Sequence, residues 1–153
     1  MPLLFCVEQF GARADGCARD LGSDQVRTLR SVPPNLLSEF TIAAGNEGTF
    51  DSSADNPYVL TVGGSDSNDS LYSWSNTGNN IDLAAPGSAY TTVRGGGYSS
   101  ASGTSFAAPQ VAGAIARVCG RTGDPPSVAL DWLLAQGVWV PDYGRALRIL
   151  PVS

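Results

Sequence analysis

Two short stretches carry residue types suited to acyl chemistry. Gly103-Thr104-Ser105-Phe106-Ala107-Ala108-Pro109 opens an Ala-rich apolar run with a Ser directly after Gly-Thr. If the run is a helix, Ser105 sits in its first turn. Backbone N–H groups there lack intrahelical partners, and the helix dipole favours negative charge. A hydroxyl nucleophile at that place would find its own N–H ready for a developing oxyanion. Ser and Thr are also favoured at helix starts purely as caps. Ala43-Ala44-Gly45-Asn46 ends another apolar run with an amide side chain. Asn46 could donate its NH2 to the same oxyanion. It could equally be a turn residue that tolerates left-handed geometry.

The rest of the composition removes other chemistries. There is no His in the 153 residues, so no imidazole general base lies on this chain. Zinc also loses its commonest ligand, and Cys6, Cys17 and Cys119 are too scattered to replace it. All nine basic residues are Arg, and the net charge is −5. That argues against a nucleic-acid footprint, and the lack of Lys excludes a Walker-type phosphate loop. No run reaches the ~18 apolar residues of a membrane span, and Met1–Val7 is too short for a signal-peptide core. The chain has the length of one domain.

Positioning elements follow from the hydrophobic pattern. Runs at 40–44, 58–62 and 81–85 end at Gly45-Asn46, Gly63-Gly64 and Pro86-Gly87. Short apolar runs closed by turn residues predict buried strands of a parallel sheet. Segments 89–93 and 98–101 flank Arg94-Gly95-Gly96-Gly97 and predict a β-hairpin. A helix is predicted over 104–118, with Pro109 near its start. Ala107, Ala108, Ala112, Gly113 and Ala116 imply close packing on a neighbouring backbone. A shorter helix is predicted over 127–135, then an apolar tail. Residues 1–39 show no clean period, with helical tendency at 26–30 and 36–40. Trp74, Trp132 and Trp139 read as packing residues.

Taken together, Ala43-Ala-Gly-Asn46, Ser75-Asn-Thr-Gly78, Asp82-Leu-Ala-Ala-Pro-Gly87 and Gly103-Thr-Ser-Phe-Ala-Ala-Pro109 with Val111-Ala-Gly113 resemble the subtilisin-like serine proteases, over about residues 40–118. The resemblance implies an α/β fold: part of the three-layer subtilisin-like architecture, with a mostly parallel sheet, flanking helices and one β-hairpin. It implies Ser105 as nucleophile, and Asn46 with the Ser105 N–H as oxyanion hole. Ala44, Gly45, Gly103 and Thr104 would bind substrate, Ala44 and Gly45 at the S1 region. A polypeptide substrate is implied. The family often binds calcium, but no residues here match a calcium pattern. The Asp- and Ser-rich stretch 51–69 reads as a solvated loop. No cofactor is expected.

The departures shape the functional expectation. The family's Asp in an Asp-[Ser/Thr]-Gly context has no match, and its His cannot be present. Pro109 is followed by Gln110 where the family usually has His, a position that is not catalytic. Residues 1–39 are therefore expected to be an atypical segment, and 40–153 the C-terminal half of a catalytic domain. Such a chain is expected to be inactive alone and to need a complementing N-terminal half carrying Asp and His. Exposed sheet edges would make it poorly soluble. Two alternatives stand beside this: a non-catalytic peptide- or protein-binding remnant, and a truncated or frameshifted gene product. The family is mostly secreted, but no leader is recognisable here, so location is left open.

Overall fold

A computed structural model describes residues 40–57, 59–140 and 147–149. The helical tendencies at 26–30 and 36–39, and Tyr58, lie outside these residues.

Three parallel strands form the middle of the fold. They are β1 (Thr41–Ala43), β3 (Leu60–Ser65) and β5 (Leu83–Pro86). β1 pairs with β3 from Thr41↔Leu60, and β3 pairs with β5 from Val62↔Leu83. β9 (Leu147–Ile149) adds in parallel beside β5, and β8 (Val138–Val140) closes the order antiparallel to β9. The five-stranded order is β1-β3-β5-β9-β8. β3 is buried along its whole length, as a central parallel strand covered on both faces must be. A minor parallel pair joins β2 (Phe50–Asp51) to β4 (Thr77–Gly78). The hairpin is β6 (Ser88–Thr92) with β7 (Tyr98–Ser102). Its tip needs Gly, since Gly95, Gly96 and Gly97 all take positive φ.

Helix α1 runs Thr104–Thr122 and α2 runs Pro126–Gln136. α1 extends one turn beyond the predicted end at Val118. It stops where Gly123 adopts the left-handed conformation and returns its N–H to Cys119 C=O at 2.9 Å. Pro125 and Pro126 start α2, where a missing N–H is harmless.

The core lies between the sheet and the two helices. Leu60, Val62, Leu83 and Ala85 face Ala107, Ala108, Val111 and Ile115 of α1 and Ala129 of α2. Full burial of Val62, Leu83 and Ile115 contributes roughly 1.5–3 kcal/mol each. The small residues of α1 permit the close approach predicted for it, with one exception. Gly113 is exposed, and a Cβ there would meet nothing within 4 Å. Pro109 is also deeper than expected. It is the sixth helical residue, so its absent N–H leaves Ser105 C=O without an i+4 donor. On the opposite face, Leu71, Ser75 and Ile81 close over Gly63.

Trp74 packs as the sequence suggests. It stacks on Tyr72 at 4.6 Å, and its ring edge fills the space a Cβ would need at Gly64 or Gly87. Trp132 does not pack in this way: it is 55% exposed at the surface of α2. No helix of the described residues is long and apolar enough to cross a membrane.

Candidate active site

β1 ends by delivering Ala44, Gly45 and Asn46 to the N-terminus of α1. Ala44 N–H donates to Val62 C=O at 3.0 Å, the last sheet contact of that strand. Gly45 then turns with φ +102°, a conformation open to Gly at little cost. Its N–H donates to Thr104 Oγ1 at 3.1 Å. Thr104 is fully buried. Its hydroxyl passes the bond on to Asn46 Oδ1 at 3.1 Å, and its own N–H donates to the same oxygen at 2.8 Å. Asn46 thus caps the helix from a distant loop, in place of a local cap at Gly103, which makes no side-chain capping bond.

This network fixes which end of the Asn46 amide faces where. Oδ1 is the acceptor for two Thr104 donors, so Nδ2 is the remaining donor. Nδ2 has no hydrogen-bond partner among the described residues. Neither does the N–H or hydroxyl of half-buried Ser105. Gly103 lies against Asn46, where a Cβ would sit 3.6 Å from both its Nδ2 and its Oδ1. The six residues singled out in the sequence, Ala44, Gly45, Asn46, Gly103, Thr104 and Ser105, are therefore brought to one place.

The far side of the loop is held by Asn76, which the sequence pattern showed only as part of Ser75-Asn-Thr-Gly78. Asn76 Nδ2 donates to Ala44 C=O and Glu47 Oε2, and its Oδ1 accepts from the N–H groups of Glu47 and Thr49. Gln110, at the position of the family's non-catalytic His, donates its Nε2 to Pro86 C=O at 2.8 Å and Phe106 C=O at 2.9 Å. It ties α1 to the end of β5.

In the Asp- and Ser-rich stretch, two carboxylates accept from nearby backbone N–H groups. Asp51 Oδ1 accepts the Ser53 N–H, and Asp66 Oδ1 accepts those of Asn68 and Ser70. The Asp66 carboxyl is held below its ordinary value, first by the Ser70 N–H and then by that of Asn68. Among the described residues no group of three His, Cys, Asp or Glu side chains converges.

Ser105 and two donors without partners among the described residues, its own N–H and Asn46 Nδ2, thus stand at a helix N-terminus beside the end of a parallel strand. The family model "Subtilase family" (Peptidase_S8) matches residues 11–129. The chain belongs to the subtilase family of serine proteases. The match begins at residue 11, inside the 1–39 segment expected to be atypical. "Subtilisin-like protease 1" of Arthroderma gypseum is 45% identical over 87% of this chain. "Subtilisin-like protease 1" of Trichophyton equinum is also 45% identical over 87%. The chain spans 30% and 28% of those two proteins. Among solved structures, a cold-adapted subtilisin-like serine proteinase superposes with TM-score 0.66 and 31% identity, over 86% of this chain and 50% of the other. A prenylagaramide maturation protease gives TM-score 0.66 and 29% identity, over 84% and 51%. The mostly parallel sheet with flanking helices is the subtilisin-like α/β fold in part.

Proposed function

We propose that residues 40–153 form the nucleophile-bearing half of a serine endopeptidase that hydrolyses peptide bonds through an acyl-enzyme on Ser105. Ser105 Oγ attacks the scissile carbonyl carbon. The resulting oxyanion is held by Asn46 Nδ2 and the Ser105 N–H. Ala44, Gly45, Gly103 and Thr104 bind the polypeptide around the scissile bond. The observation that carries this reading is the pair of hydrogen bonds that the Thr104 N–H and hydroxyl donate to Asn46 Oδ1, which leaves Nδ2 as a directed donor beside the helix N-terminus.

The proton of Ser105 needs an acceptor, and the sequence contains no His. The acceptor comes from a complementing N-terminal half carrying His and Asp. The protonated base then returns the proton to the leaving amine, and water releases the acyl group by the same steps in reverse. By itself the chain is inactive. In a subtilisin, losing His or Ser alone lowers kcat by about 2 × 10⁶, a size taken from that enzyme.

The test is reconstitution. The chain is mixed with an N-terminal subtilase segment that carries both missing motifs, and peptide hydrolysis is followed. Turnover in the mixture, none with either part, and none with Ser105→Ala are expected. Turnover by the chain alone, abolished in Ser105→Ala, overturns the inactivity of the isolated chain. A mixture that associates without turnover favours the second reading, a peptide-binding remnant, which the missing His also supports.

A further inference from the structure

The Asn46 loop is clamped from two directions, and only the Thr104 side belongs to the nucleophile motif. The other clamp is one side chain, Asn76, which is 8% exposed. Its Oδ1 accepts from the Glu47 N–H at 3.1 Å, the Thr49 N–H at 3.0 Å and the Thr49 hydroxyl at 3.3 Å. Its Nδ2 donates to Ala44 C=O at 3.1 Å and to Glu47 Oε2 at 2.7 Å. Its backbone N–H donates to Gly45 C=O at 3.1 Å. One carboxamide therefore satisfies backbone groups on both sides of Asn46. A Cβ on Gly45 would run into Asn76 Nδ2, so the loop and this side chain are fitted to each other.

Asn76 is itself anchored. Ser75 Oγ accepts the Gly64 N–H at 3.0 Å and donates to Asn76 C=O at 3.2 Å. A continuous bonded path thus runs from β3 through Ser75 and Asn76 to the loop, and from Asn46 through Thr104 into α1. The bonding needs an amide in particular. Asp would supply the acceptor but no donor for Ala44 C=O, and would set a second carboxylate beside Glu47. Ser is too short to span both sides of the turn.

We propose that Asn76 is a positioning residue for the oxyanion hole, holding Asn46 Nδ2 on target through the Ala44–Thr49 segment without touching substrate. The inference rests on the role given to Asn46 above.

The test needs no turnover. Two fluorescent peptides that differ only in a C-terminal carboxylate or carboxamide are bound to the whole chain. Their anisotropy titrations are compared for the wild type, Asn76→Asp and Asn76→Ser. The carboxylate mimics a cleavage product, whose charge the donors of the hole should prefer, by about fivefold or more. In both variants the preference should fall to within twofold while carboxamide binding stays within twofold of the wild type. A general loss of structure would weaken both peptides together.

Residue-resolved hydrogen exchange accompanies the binding. Loss of protection should be confined to 44–49 and spare β3, β5 and α1. A wild-type preference that persists in folded Asn76→Asp overturns the role of Asn76 alone. No preference in the wild type overturns the oxyanion reading and this inference with it. Should both variants fail to fold, wild-type exchange decides. Glu47 and Thr49 amides at least about tenfold slower than the Asn46 amide, which has no partner among the described residues, support the inference. Rates equal to that of Asn46 overturn it.

Discussion

Thr104 and Asn46 lie 58 residues apart in sequence and share two hydrogen bonds to one oxygen, Asn46 Oδ1, from the Thr104 N–H at 2.8 Å and its hydroxyl at 3.1 Å. The pair fastens the end of β1 to the start of α1, and with the Gly45 N–H it forms a three-residue relay. Most of the expected behaviour of the site follows from this relay.

Thr104→Val keeps the shape and removes the hydroxyl. The Gly45 N–H then loses its acceptor inside a buried turn, a loss of about 1–3 kcal/mol. Chemical denaturation should show a lower midpoint with an unchanged slope, and the Gly45 amide should exchange faster.

Asn46→Leu removes both the cap on α1 and the outward donor. Stability should fall by about 0.5–2 kcal/mol, as for other lost caps. In the reconstituted protease, kcat should fall by about 10²–10³, the size known for removing this kind of donor from a subtilisin. A change confined to KM would contradict the assigned role.

Gly45→Ala forces a side chain into φ +102° and its Cβ into Asn76. Left-handed strain alone is about 1–2 kcal/mol, so the total should exceed that. Thermal unfolding of the variant against the wild type measures it.

Asp66 supplies a pH-dependent contribution of defined sign. Its carboxyl is held below its ordinary value by the N–H groups of Ser70 and Asn68. The turn therefore gains full stabilisation at pH values above the ordinary carboxylate range, and loses it as pH falls through the lowered value. An NMR titration of the Ser70 amide should show a midpoint below that of Asp in an unstructured peptide. In Asp66→Asn the transition should vanish.

The parts of this fold that were legible in sequence were local. Pro86-Gly87 and Gly95-Gly-Gly97 mark the end of β5 and the hairpin turn because Gly and Pro act on their own backbone. Gly63-Gly64 reads as a strand stop by the same logic, but both lie inside β3, which pairs with β5 as far as Ser65. Ser105 and Asn46 stood out because each sits at an element terminus within two residues of a Gly. Asn76 did not stand out, since its partners are 27 to 32 residues away and an Asn before Thr-Gly looks like any turn residue. α1 runs past its predicted end at Val118 to Thr122, and Gly123 is the residue that takes the left-handed cap. The exposure of Trp132 depends on which face of α2 meets α1, and neither helix's composition settles that alone.

Gly113 and Gly120 are two turns apart on the same exposed stripe of α1, and each faces open space. Glycine within a helix is about 1 kcal/mol less favourable than alanine, and neither position is gaining a contact in exchange. A random library of this chain, sorted only for resistance to unfolding, should therefore converge on alanine at both sites. The two glycines are where the natural sequence and the most durable version of the same helix part ways.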